Sequence, residues 1–182
     1  MARHEGGFRG RAATVAVLAA LAACPSPGWT TPLDAETEAV RPADARAREL
    51  VQAAVASSPT VAALVETLRG SDVIVSVQVT LQRFGFAGDL RVLTAAGGCR
   101  YLMIRISTEQ SPSDQAAYLG HELQHANEVA RAREVQDDTG LVRLMGRIGR
   151  KGFRGAFETD AAQRVTRQVQ KELAGRGRRH DG

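Results

Sequence analysis

Aromatic side chains make up only 4 % of the 182 residues, so the interior must be filled by the small aliphatic side chains that supply most of the apolar mass. Two cysteines cannot staple a fold in the manner of a disulfide-rich scaffold. No internal repeat is visible, which excludes a solenoid. The length leaves room for one domain of ordinary size and a targeting segment, not for two full domains. Histidine is scarce too: of four, His4 lies near the start and His180 near the end, so the folded part keeps His121 and His125.

What is present begins with a basic stretch, Arg3, Arg9 and Arg11, followed by an apolar run over residues 12–23 that is too short to span a bilayer comfortably and ends in small residues. This is the layout of a secretory signal peptide over residues 1–23. The end of the run, Leu21-Ala22-Ala23-Cys24, resembles a bacterial lipobox, in which the cysteine becomes the first mature residue and carries the lipid. That resemblance implies an envelope protein secreted across the inner membrane and anchored through Cys24. Pro25, not aspartate, follows the cysteine, so in a two-membrane cell the expected address is the outer membrane. An ordinary signal peptide with a cysteine beside its cleavage site is the alternative, and it leaves a Cys24 to Cys99 disulfide open, which acylation of Cys24 forbids. Cys99 itself reads as a small apolar filler.

Removing residues 1–23 takes away three arginines and Glu5, leaving 21 basic against 19 acidic residues and lowering the net charge from +4 to +2. With several remaining arginines crowded into residues 175–182, the charge gives no case for a nucleic-acid partner. Residues 24–43 are rich in Pro, Thr, Asp and Glu and read as a flexible tether. Residues 44–175 then form the domain, and residues 176–182 a disordered basic tail.

Inside the domain, residues 44–57 are Ala-rich and helical in pattern, and Ser58 is placed to cap a second helix with Pro59 at its first position and Gly70 past its end. Alternation of Val73, Val75, Val77 and Val79 with polar residues predicts a half-buried strand. Two more strands, over residues 90–94 and 100–107, flank Gly97-Gly98, whose glycines suit a tight hairpin. The expected fold class is α+β, with a mainly antiparallel sheet packed with helices. A long helix capped by Ser113 or Asp114 should run to about residue 134, with His121 on one face and Leu119, Leu123, Ala126 and Ala130 on a separate core face. A short helix over residues 141–148, a Gly-rich basic loop and a last helix over residues 156–174 complete the domain.

The long helix carries His121-Glu122-Leu123-Gln124-His125, the pattern H-E-x-x-H. Two histidines four apart on a helix leave the same face about one turn apart and can share a metal ion, zinc by preference. Glu122, rotated roughly 100° from His121, is placed as a general base. A catalytic zinc takes a third protein ligand, and Glu158, inside the apolar arc of the last helix, must find a cation or neutralise. Glu128 is too close along the backbone to swing onto the metal, and Asp160 points to the polar side. Arg154 is an alternative partner for Glu158.

From Tyr118 to Val169 the chain resembles the gluzincins, zinc metallopeptidases with an H-E-x-x-H helix and a glutamate ligand from a later helix. The resemblance implies a zincin-like fold, zinc on His121, His125 and Glu158, Glu122 as the base, and a peptide or protein substrate held extended, here along residues 100–107 if that strand is an edge. Two positions depart from the family pattern. Ala162 stands where an Asp or Asn orients a histidine, and after Glu158 the only Tyr or His is His180, leaving Arg154 or Tyr118 as candidate oxyanion partners. A non-catalytic envelope lipoprotein with a structural or vestigial zinc site is the second reading.

Overall fold

The computed structural model describes residues 39–81, 85–152 and 157–180, with side chains described as far as Gly175. The elements are β1 (Val40–Pro42), α1 (Ala45–Ser57), α2 (Pro59–Arg69), β2 (Val73–Thr80), β3 (Gly88–Ala96), β4 (Cys99–Ser107), α3 (Pro112–Arg131), α4 (Asp138–Ile148), β5 (Arg150–Lys151), β6 (Phe157–Glu158) and α5 (Asp160–His180). The signal segment, Cys24, most of the expected tether and Arg154 lie outside the described residues.

Local chemistry sets the first helices where their caps predict. The Asp44 carboxylate accepts from the Ala47 amide at 2.8 Å and starts α1. Ser58 ends α1 and caps α2: its hydroxyl accepts from the Val61 amide at 3.1 Å and donates to Glu172 of α5 at 2.5 Å. Thr60 donates to the same carboxylate at 2.6 Å, so Glu172 fastens the far end of the chain to the start of α2, where the helix dipole favours an anion.

The sheet is mixed, in the order β1-β2-β4-β3, and this corrects the expected antiparallel arrangement. β1 with β2 and β2 with β4 are parallel pairs, and only β3 with β4 is antiparallel. The sequence places strands by neighbourhood, but the chain leaves β2, passes over one strand width to β3, and returns as β4 in between. Composition explains the choice: Leu102, Ile104 and Ile106 of β4 are fully buried, whereas β3 carries Asp89, Arg91 and Thr94 and buries only Val92. The hairpin turns on Gly97 and Gly98, at φ +60° and +79°, the pair of left-handed conformations that a type I′ turn requires.

Two boundaries also move. Residues 40–42, assigned to the tether, form β1, whose Val40 is fully buried; a three-residue edge strand ending in proline leaves almost no periodic signal. At the other end, the α5 backbone continues to His180 through the expected tail, for arginine is a good helix former and no proline intervenes. Cys99, 3 % exposed at the start of β4, is disulfide-bonded and so is not the partnerless filler expected of it.

α3 is the centre of the domain. Ser111, not Ser113 or Asp114, caps it, with Pro112 in the first turn. Every residue from Gln115 to Val129 except the half-buried Tyr118 is buried, and His121 and His125 line a cleft on a side of the helix apart from Leu119, Leu123 and Ala126. One side packs on the sheet, while α5 crosses the other so closely that a Cβ on Gly120 would meet Val169 at 3.1 Å and Val165 at 3.2 Å. The helix ends on Arg100 of β4, which is 1 % exposed. Its guanidinium pairs with Asp72 in a two-bond fork at 2.8 and 2.9 Å, and it donates to the carbonyls of Val129 and Ala132 at 2.8 Å, Ala130 at 3.2 Å and Val135 at 3.3 Å. Two of the carbonyls left open at the end of α3, those of Val129 and Ala130, are thereby satisfied.

Candidate metal centre

His121 and His125 project from the middle of α3 with their rings edge to face, centroids 4.8 Å apart. Glu158 reaches them from β6, not from the last helix: β6 pairs with β5, Thr159 caps the helix by accepting from the Ala162 amide at 3.1 Å, and α5 begins at Asp160. The apolar arc singled out a carboxylate that the structure does bring beside the two histidines, though from a strand and not from the helix. Asp160 forms an ion pair with Arg150 at the surface and takes no part in the site.

Each imidazole is held through its Nδ1 atom. The Thr166 hydroxyl donates to the Ala162 carbonyl at 3.1 Å, so at 2.9 Å from His121 Nδ1 it accepts a proton from that nitrogen. Glu128 lies 2.8 Å from His125 Nδ1 and as a carboxylate can only accept. Thr159 and Gln124 donate to the same carboxylate at 2.8 and 3.3 Å, fixing its position. Ala162 thus leaves no gap, because a hydroxyl one turn further along α5 fills the orienting role. Glu128 engages His125 from the outer side of its ring.

With both Nδ1 atoms protonated, the Nε2 lone pairs face each other at 3.1 Å, and Glu158 Oε2 lies 3.2 Å from His121 Nε2. Three acceptors therefore converge, and their ligand atoms all fall within 4.8 Å of one another. Such a group is stable only around a cation, and two imidazoles with one carboxylate make a donor set that suits zinc. Without a metal, a proton takes that place: burial pushes His121 down, but the Glu158 hydrogen bond and the carboxylates of Glu122, Glu158 and Glu128 outweigh it and hold the ring above its ordinary value. The His121 hydrogen bond in turn holds Glu158 below the carboxylate range despite burial.

Glu122 sits one residue away around α3, against β3. A Cβ on Gly88 would meet its Oε1 at 3.1 Å and its Cγ at 3.2 Å, so glycine is what lets the strand come this close. Burial pushes the Glu122 carboxyl up, more than the two histidines draw it down. A cleft of about 470 Å³ opens beside these groups. Its walls are β3 from Gly88 to Leu90, Tyr118 of α3, Leu141 and Met145 of α4, Phe157 of β6, and Gln163, Thr166 and Arg167 of α5.

The strand at the cleft is β3, which corrects the expectation that residues 100–107 would be the edge. Ala87 gives its carbonyl to Ser107, so along the regular run of β3 the backbone groups of Gly88, Leu90 and Val92 point the other way, off the sheet. The Val92 amide is taken by Asp138 of α4 at 2.8 Å. Gly88, Thr166 and Asp138 carry no sequence motif; only Glu128, three residues past His125, could have been found from helical spacing. Comparison with family models, curated proteins and solved structures finds no match to this chain.

Proposed function

We propose that this is a zinc-dependent hydrolase of zincin-like build, a metallopeptidase with His121, His125 and Glu158 as ligands and Glu122 as general base. The convergence of two imidazole nitrogens, each ring held through its Nδ1 by an outer partner, and a carboxylate oxygen is the observation that carries the reading. When bound, zinc supplies a Lewis acid that polarises a carbonyl and acidifies water. Glu122, buried and raised above the ordinary carboxylate range, takes the proton of the attacking water and passes it to the leaving amine. The outward backbone groups of Gly88 and Leu90 hold the substrate as an added strand. Tyr118, on the cleft wall three residues before His121, is the oxyanion candidate that remains among the described residues.

The test is zinc content and turnover together. The purified mature protein is expected to hold about one zinc per chain, and Glu122→Ala to keep it while losing about 10²–10⁴-fold in peptide cleavage, the range for a lost general acid–base group. A protein that stays zinc-free in the presence of added zinc loses the site. Equal cleavage of a broad peptide library by wild type and Glu122→Ala removes the mechanism, and cleavage by neither favours the non-catalytic reading.

We further propose export to the cell envelope, supported by the run from Arg3 to Cys24. The disulfide on Cys99, in a chain with one other cysteine, stands against the lipid anchor on Cys24, and a fatty-acid probe that labels the wild type and not Cys24→Ser would restore it. The sulfur of Cys24 cannot serve both an acyl anchor and a disulfide, so a soluble, unacylated protein carrying a Cys24 to Cys99 bond in non-reducing mass spectrometry leaves secretion alone standing.

A further inference from the structure

The charges around the cleft are spoken for, with one exception. Asp89 is forked by Arg105, with bonds of 2.9 and 2.5 Å, and is also met by Arg91 at 3.3 Å. Glu158 and Glu122 belong to the site described above. Arg167 is the one lysine or arginine among the described residues lining the cleft, and no hydrogen bond or ion pair engages it. It is exposed and sits on the same face of α5 as Gln163, four residues earlier, and it follows Thr166, which also lines the cleft and holds His121.

Arg167 also lines a second, shallower depression beside the cleft, together with Arg164 and Lys171. All three are exposed, and none has an ion-pair partner among the described residues. The cleft therefore runs from a floor of carboxylates and an apolar wall of Leu141, Met145 and Phe157 out onto a cationic shelf.

We propose that Arg167 is a specificity residue that receives a carboxylate of the substrate, so that the preferred substrate is a peptide with a free carboxylate just beyond an apolar side chain. The proposal deepens the peptidase reading and rests on it for the peptide nature of the substrate. An unpaired guanidinium offers two parallel donors to a carboxylate, and no other cationic side chain among the described residues lines the cleft. A carboxylate held at Arg167 fixes the direction in which the peptide lies. The carboxylate comes from the chain terminus or from an acidic side chain near it, and Arg164 and Lys171 raise the local concentration of either.

The test is equilibrium binding of three labelled peptides of one apolar sequence: free acid, C-terminal amide, and amide with a final glutamate. The full mature chain carries Glu122→Gln to stop turnover and is measured both zinc-loaded and chelated. The free acid is expected to bind about tenfold or more tightly than the plain amide in both states, and Arg167→Gln to reduce that ratio to about twofold or less. A final glutamate that restores binding to the amide identifies a side-chain carboxylate as an equal source. Equal binding of acid and amide, a preference that survives Arg167→Gln, a preference that vanishes with chelation, or no binding of any peptide overturns the proposal. A preference carried by Arg167 in a protein whose wild type cleaves nothing sinks the hydrolase reading and leaves the carboxylate site standing.

Discussion

α3 meets buried polar groups at two places, and they are built on opposite plans. At its C-terminal end, Arg100 has every N–H donor matched, two by Asp72 and the rest by four backbone carbonyls. At its middle, His121, His125 and Glu158 bring three acceptors together with no protein donor between them. A closed network holds a fold in one arrangement, while an open one has been left for something else to complete. Burial and proximity are alike in both places. Only the balance of donors against acceptors tells structure from function.

Arg100→Met attacks the closed network and carries the largest expected effect. It leaves Asp72 without its partner and uncaps α3, and should cost about 3–5 kcal/mol in denaturant unfolding. A cost below about 1 kcal/mol would show that the network is ornamental and collapse the contrast.

Glu158→Gln treats the open network in the opposite way. Its amide supplies the missing donor, so zinc-free stability should stay within about 1 kcal/mol of wild type or rise. The zinc-dependent gain in thermal stability, about 4 kcal/mol when zinc is at a thousand times its dissociation constant, should disappear. Thr166→Val is the partial form of that experiment, weakening zinc about 10–100-fold by freeing the His121 ring. If Glu158→Gln leaves zinc stabilisation intact, Glu158 is no ligand.

The smallest effect concerns pH and belongs to the closed network alone. The hydrogen bond and charge of Arg100 hold the Asp72 carboxyl below its ordinary value of 3.8. A carboxyl depressed by folding contributes stability that is complete above the unfolded value and is lost as pH falls through that value toward the folded one. Wild type should therefore shed about 1 kcal/mol as pH drops below about 4, since Asp72 is partly in water. Asp72→Asn should be weaker at neutral pH and lack that component of the slope. A slope unchanged by the substitution would assign it to other carboxyls.

Much of this was readable before any coordinates. Caps and turns are local chemistry, so Ser58 with Pro59 and Gly97-Gly98 announced α2 and the hairpin, an Ala-rich helical pattern announced α1, and the spacing of His121 and His125 announced the candidate site. The order of strands was not readable, because β4 earns its central place by burying Leu102, Ile104 and Ile106 between neighbours that no local pattern names. β1 is too short to show a period. Thr166 was hidden for another reason: a threonine on a helix looks alike whether its hydroxyl faces solvent or a histidine. Glu158 was found because a carboxylate among apolar residues demands a partner whatever the backbone beneath it.

The hydrogen bond from the Val92 amide to Asp138 acts as a ruler. An incoming strand can pair with the outward groups of Gly88 and of Leu90, but the next rung is occupied by a side chain of α4, and the bulge that follows Val92 breaks the register beyond it. Two rungs of an edge take up about four residues of a partner strand. Selection by this protein would then act on length before it acts on sequence, favouring short or frayed chain ends and turning away segments built into a folded neighbour.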